Sequence, residues 1–362
     1  MKQILATIKK KPLTLLLLAF LLAIVAEWQH WGMIYVFIFS ALGVVPMAGY
    51  IGEATEVLAV FTGPKIGGLL NATLGNAAEL IITLIAIKAG LLELVKASIT
   101  GSILGNLLLV MGIAMIVGGA KNGLQTFDRR QISNHSILLL LAVVALIIPS
   151  LFYPAIGNPT SVRVEAMSLG VAVVMIVLYV LGLIYSLKAA RSPITVNPEK
   201  IERAAPHWSM TKAIVVLALA TIGVVIASEL LVGAVEVVVA QFGISEFFLG
   251  IILIPIVGNV AEHLVAVTVA YRNHMELSVE IAVSSSLQIA LFVAPLLVFV
   301  SLAMGNPLTL VFNLFELIAL TASILITALV AMDGESNWLE GAALLAVYLI
   351  LGISFFLLPT VG

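Results

Sequence analysis

The chain of 362 residues is 62% hydrophobic and only 10% charged, which excludes a water-soluble surface of ordinary charge density. A net charge of −2 and the lack of cysteine point to no nucleic-acid partner and exclude disulfides, thiolate metal sites and thiol redox chemistry. Apolar runs of the ~20 residues that a crossing helix needs follow one another without the alternation of barrel strands, so an all-α integral membrane protein is expected, with the lipid bilayer as its solvent.

Eleven transmembrane helices are predicted in chain order, at 12–27, 32–63, 67–90, 93–119, 135–154, 165–189, 211–243, 245–273, 275–303, 314–332 and 337–359. The first follows Lys9, Lys10 and Lys11 as a signal peptide would. No small-residue cleavage pattern comes after it, and Glu27-Trp28-Gln29-His30-Trp31 reads as an interfacial aromatic border, so a retained helix is expected. Spans 32–63 and 211–243 exceed one crossing, which predicts tilt, a bend, or a break near glycines such as Gly43, Gly49 and Gly52 in the first. Ser186 to Lys212, with Pro193, Pro198 and Pro206, reads as a linker between halves. Fourteen Lys and Arg residues fall on the N-terminal side of the alternating loops and three, Lys88, Lys96 and Arg163, on the other. By the positive-inside rule the N-terminus is cytoplasmic and the C-terminus external.

A shift of 183 residues lays Gly75-Asn76-Ala77-Ala78-Glu79 on Gly258-Asn259-Val260-Ala261-Glu262, and Ser102, Leu104, Leu108 and Val110 on Ser285, Leu287, Leu291 and Val293. The chain therefore divides into an N-terminal helix (1–31), a first repeat (32–189), a cytoplasmic linker (190–210) and a second repeat (211–362). Five helices is an odd number, so the repeats have inverted topology, the arrangement by which many secondary transporters obtain two alternative openings.

Glu79 and Glu262 sit inside apolar runs, near the expected midplane and at equivalent positions. A charge there costs at least a few kcal/mol and calls for a partner or a wet cavity. A symmetric pair of carboxylates suits a hard divalent cation. Asn76 and Asn259 each precede a Glu by three positions and share its helix face. Gly75 and Gly258 are expected to weaken the helix at the site and free backbone carbonyls. Ser98, Ser102 and Asn106 form a polar stripe in the next helix of the first repeat, and Ser285 and Gln288 in that of the second. Interhelical packing explains the serines as well as site lining does, but Asn106 and Gln288 are too polar for packing alone. Glu53, Glu56, Glu229 and Glu236 in the long helices line an access path or relay protons, or else are interfacial carboxylates. His263 has Leu80 as its counterpart and either tunes the site by titrating or is packed neutral. Glu316 is given a structural reading only.

The stretches 67–81, 101–109, 255–263 and 284–292, with the eleven-helix plan, resemble the calcium/proton exchanger family of the cation/calcium exchanger superfamily. The resemblance implies that Glu79 and Glu262 bind Ca²⁺ and H⁺ in competition, assisted by Asn76, Asn259, Ser102, Ser285, Asn106 and Gln288. It further implies a secondary active antiporter that exports cytosolic Ca²⁺ by alternating access, with no cofactor beyond the transported ions. Sodium/calcium exchangers carry Thr and Ser around the acidic residue where this chain has Gly-Asn-Ala-Ala-Glu, so protons are favoured over sodium. The short, basic linker points to a prokaryotic plasma-membrane member. A homo-oligomer is compatible with the sequence. A channel fits the paired internal carboxylates less well than a switching repeat does. An intramembrane enzyme is not expected, since there is no His-Glu-x-x-His, no paired Asp motif and only two Asp.

Overall fold

A computed structural model describes residues 12–188 and 208–358. The predicted linker up to residue 207, and Lys2, Lys9, Lys10 and Lys11, lie outside the described residues. A 3₁₀ turn, Pro12–Leu16, leads into α1 (Leu17–Trp28). Then come α2 (Met33–Gly63), α3 (64–74), α4 (Ala77–Lys88), α5 (Leu92–Asn122), α6 (Arg129–Ile156) and α7 (Val162–Lys188). After the linker follow α8 (Met210–Phe242), α9 (Glu246–Tyr271), α10 (Met275–Ala303), α11 (Leu314–Val330) and α12 (Trp338–Phe356).

Eight of these helices are long and apolar enough to cross a membrane unaided, and α1 and α11 are shorter apolar helices. The predicted span 67–90 is split into α3 and α4 by an interruption at Gly75–Asn76, where Asn76 leaves helical geometry with φ −95° and ψ 17°. The long span 32–63 runs without a break through Gly43, Gly49 and Gly52 and ends at Gly63, which removes the break from the three alternatives for this span. Gly63 has φ 81° and ψ 174°, a conformation from which a side chain would be excluded. Gly43 serves packing instead: a Cβ there would lie 2.8 Å from Phe20 Cα, so α1 lies directly against α2.

The loops bring certain helix ends together. A two-residue antiparallel ladder joins Gln125–Thr126 after α5 to Glu335–Ser336 after α11. Asn306 after α10 donates to Ile87 O at the end of α4, at 2.9 Å. Both contacts join ends separated by an even number of crossings, as the alternation requires.

The two helices after the acidic motifs form the centre. In the most apolar window of α5 and α10, 72% and 67% of residues are buried, against 22% for α12 and 28% for α7. The outer helices expose Leu, Ile and Val, among them Leu181, Leu219 and Ile350, which is the inverse of a water-soluble surface and the expected face toward lipid. Single π-helical turns interrupt three helices near the centre, at Gly105–Val110 in α5, Leu249–Leu253 in α9 and Ile289–Val293 in α10. Each widens its helix and rotates the side chains that follow.

Candidate cation site at the repeat interface

The interruption between α3 and α4 makes a helix N-terminus inside the apolar interior. Glu79 stands in the first turn of α4, where unpaired N–H groups and the helix dipole favour a carboxylate. Asn76 occupies the N-cap but makes no capping bond; its Nδ2 donates to Gln288 Oε1 of α10 at 2.7 Å. The same Asn-x-x-Glu spacing elsewhere forms ordinary capping boxes, Asn313 with Glu316 and Asn337 with Glu340. At the site the asparagine is turned away from its own helix and toward the opposite repeat.

Each acidic residue meets a serine of the following helix at the same separation. Ser102 Oγ donates to Glu79 Oε1 at 2.5 Å and Ser285 Oγ donates to Glu262 Oε2 at 2.6 Å, each pair 23 residues apart. The glycines supply the close approach across the interface. A Cβ on Gly258 would lie 2.8 Å from Glu79 Cγ, and one on Gly75 would lie 3.3 Å from Glu262 Oε1. Each motif's glycine thus leaves room for the carboxylate of the other half, and Glu79 and Glu262 are near enough to repel one another.

The two halves differ in detail. Asn259 Nδ2 also donates to Glu79 Oε1 and to Pro255 O at 3.1 Å, whereas Asn76 is engaged by Gln288 rather than by Glu262. Glu79 is 3% exposed, while Glu262 is half-buried and feels the charge of Glu56 on α2. Asn76 Oδ1 and Glu79 Oε2 are buried oxygens without a hydrogen-bond donor. An amide oxygen and a free carboxylate oxygen, beside the second carboxylate of Glu262, are a donor set for a hard cation. Among the described residues no group of three or more His, Asp or Glu is placed to hold a metal ion.

One expectation is corrected. Gly258 lies inside the continuous helix Ile254–Tyr271 and does not break it; the irregularity falls earlier, in the π turn before Pro255. Asn106 Oδ1 lies 3.2 Å from His263 Nε2, a contact that leaves the amide oxygen a second lone pair. Ser98, on the same stripe, is buried. In the acidic tier, Glu53 is half-buried, and Glu56, Glu229 and Glu236 are exposed. Glu236 and Glu93 approach Glu246, whose Oε1 accepts from Leu94 N at 3.0 Å. Glu246 was not singled out by sequence; its position just after the helix-starting Ser245 was the available signal.

Fold and site together define a multi-pass membrane transporter with an inverted repeat. The sodium/calcium exchanger protein family model matches residues 32–188 and 212–357, and the chain belongs to that family. The Ca(2+)/H(+) antiporter ChaA of Bacillus subtilis (strain 168) is 45% identical over 340 residues, 93% of this chain and 96% of its own length. The Ca(2+)/H(+) antiporter of Aphanothece halophytica is 42% identical over 362 residues, 96% of each chain. The solved structure of native YfkE superposes with a TM-score of 0.83 at 42% identity, covering 96% of this chain and 100% of that one.

Proposed function

We propose that this chain is a secondary active antiporter that exports cytosolic Ca²⁺ in exchange for H⁺, with Glu79 and Glu262 as the place for which the two ions compete. The observation that carries this reading is the pairing of two carboxylates from opposite repeats, each held by its own serine and each given room by the other repeat's glycine. The names of the two relatives support Ca²⁺ and H⁺ as the ions.

The coupling follows from charge. Two ionised carboxylates in a low-dielectric interior are costly to move through a closed intermediate. One Ca²⁺ neutralises the pair, and so do two protons. The protein changes face loaded with either but not empty, and each ligand drives the change only through its different affinity for the two states. Ser102, Ser285, Asn259 and Asn76 act as neutral partners that exchange hydrogen bonds for cation contacts. Glu56 and Glu53 on one side, and Glu236 and Glu229 on the other, attract cations to the two mouths. His263 fixes Asn106. We place the protein in a prokaryotic plasma membrane with the N-terminus in the cytoplasm, on the strength of the basic-residue asymmetry; the Glu56 mouth is then cytoplasmic.

The test is Ca²⁺ uptake by proteoliposomes under an imposed pH gradient without sodium. Uptake is expected to collapse with the gradient, and acidification on the Ca²⁺ side is expected to raise KM, toward about 100-fold per pH unit if two protons must leave. Glu79→Gln and Glu262→Gln should each abolish uptake in folded protein. Uptake that needs sodium, or that survives in either variant, overturns the reading.

A further inference from the structure

The exposure of Glu316 is 0%, although local capping accounts for only part of its bonding. Its Oε2 accepts from Asn313 N at 2.9 Å, and Asn313 Oδ1 accepts from Glu316 N at 2.9 Å. At the start of α12 the same motif gives Glu340 the same task, with Oε2 accepting from Asn337 N at 3.2 Å, in a half-buried setting. Capping therefore does not demand full burial. What distinguishes Glu316 is its second oxygen, which accepts from Thr100 Oγ1 of α5 at 3.0 Å.

Thr100 is equally distinctive. Thr55, Thr83, Thr221 and Thr321 turn their hydroxyls back onto the carbonyl four residues earlier, the ordinary habit of threonine in an apolar helix. Thr100, fully buried, sends its hydroxyl across to Glu316 of the other repeat. The next residue, Gly101, has no room for a Cβ because the backbone of Ile251, in the π turn of α9, occupies that place. The residue after that, Ser102, holds Glu79. Three consecutive residues of α5 are thus committed, two to the second repeat and one to the carboxylate of the proposed site.

We propose that Glu316 is a positioning residue for that site: through Thr100 it fixes the rotation of α5 so that the Ser102 hydroxyl meets Glu79. Residues two apart on a helix lie on nearly opposite faces, so a rotation released at Thr100 swings Ser102 the other way. A turn of about 10° moves an atom about 5 Å from the axis by roughly 0.9 Å, enough to stretch the 2.5 Å Ser102–Glu79 bond past useful length. This inference rests on Glu79 being a cation ligand.

The experiment compares Thr100→Val, Thr100→Ser, Glu316→Leu and Glu340→Leu in sodium-free proteoliposomes, with Ca²⁺ KM and Vmax measured separately. The Ca²⁺-induced rise in thermal midpoint is recorded in detergent. Thr100→Val and Glu316→Leu are expected to raise KM about tenfold with Vmax within about twofold. Thr100→Ser restores KM, and Glu340→Leu, which loses only a cap, lowers the midpoint and leaves KM alone. Combined with Ser102→Ala, Thr100→Val should add nothing further, because it acts through that serine. An unchanged KM in Thr100→Val or Glu316→Leu, or losses that multiply with Ser102→Ala, overturns the proposal; if one variant does not fold, the other decides. Failure of wild-type uptake would refute the exchange reading instead, and the Ca²⁺-induced midpoint shift then still reads the positioning.

Discussion

Gly258→Ala adds a single methyl group at the point where the two repeats come closest to the proposed site. The new Cβ would stand 2.8 Å from Glu79 Cγ and 3.8 Å from Glu79 Cα. Carbon atoms in contact sit about 3.5–4.0 Å apart, so Cγ has to retreat by roughly 0.7–1.2 Å. It cannot do so without carrying the carboxylate away from Ser102, whose bond to Oε1 is 2.5 Å long. At about 3.5 Å that bond has ceased to be one. A hydrogen bond to a charged group is worth about 1.5–3 kcal/mol, so Ca²⁺ affinity should fall roughly 10–100-fold. Gly75→Ala is no milder: its Cβ would stand 2.6 Å from the backbone carbonyl Asn71 O as well as 3.3 Å from Glu262 Oε1, so it is expected to disturb the α3–α4 interruption itself and to lower stability along with Ca²⁺ affinity. Gly49→Ala, whose Cβ would find only Ala261 Cβ at 3.9 Å, serves as control. Initial rates of pH-driven Ca²⁺ uptake against Ca²⁺ concentration give the KM of each. A Gly258→Ala protein with the wild-type KM, or a Gly49→Ala protein equally impaired, refutes the packing argument.

The serines and the far end of α9 give two further tests. Ser102→Ala and Ser285→Ala each remove the hydroxyl donor of one carboxylate, and each is expected to raise KM by about tenfold or more in the same assay while Vmax changes less; a change in Vmax alone contradicts the assignment. Gln125→Leu removes the donor that bridges Ala270 O at 3.0 Å and Asn273 Oδ1 at 2.9 Å, while Ala270 O keeps Asn273 N at 3.0 Å and Asn122 Nδ2 at 3.3 Å. The thermal midpoint should drop by about 1–3 °C and KM should hold, since Ala270 is about 12 Å along the helix from Glu262.

Much of this architecture was legible because hydrophobic length and repeat register are local properties of a chain. The apolar runs, the 183-residue shift and the paired acidic motifs are visible in the letters, while the structure divides the span 67–90 and has, among the described residues, eight helices long and apolar enough to cross a membrane. The fate of those motifs did not follow from their spelling. Gly75-Asn76 interrupts its helix and Gly258-Asn259 does not, with nearly the same letters around both. The difference lies in what each amide bonds: Asn76 reaches Gln288, 212 positions away, while Asn259 returns to Pro255 in its own helix and reaches Glu79. Asn106 shares a stripe with Ser102, and its contact with His263, 157 positions on, has no trace in that stripe. Glu316 carries only a structural reading in the sequence, because its partner Thr100 lies 216 positions away. Side-chain choices made across the repeat interface are invisible to any pattern within one segment.

The inequality of the halves defines what the alternative state should be. Ala78 and Ala261 occupy equivalent positions beside the two glutamates, yet Ala78 is 4% exposed and Ala261 is half-buried. Glu262 is half-buried on the side of Glu56, while Glu79 is sealed by Asn259. If the two faces are reached by exchanging the conformations of the repeats, the opposite state opens Glu79 toward Glu236 and closes Glu262, with Asn76 leaving Gln288 for Glu262. The chain has no cysteine, so single thiols report this directly. A water-soluble thiol reagent on the Glu56 side should modify Ala261→Cys and spare Ala78→Cys. Conditions that suppress that labelling should expose Ala78→Cys to reagent on the other side, so that the two reactivities move in opposition. Labelling of both positions from one face, or reactivities that rise together, would mean that the halves do not trade places and that the inequality belongs to the site itself.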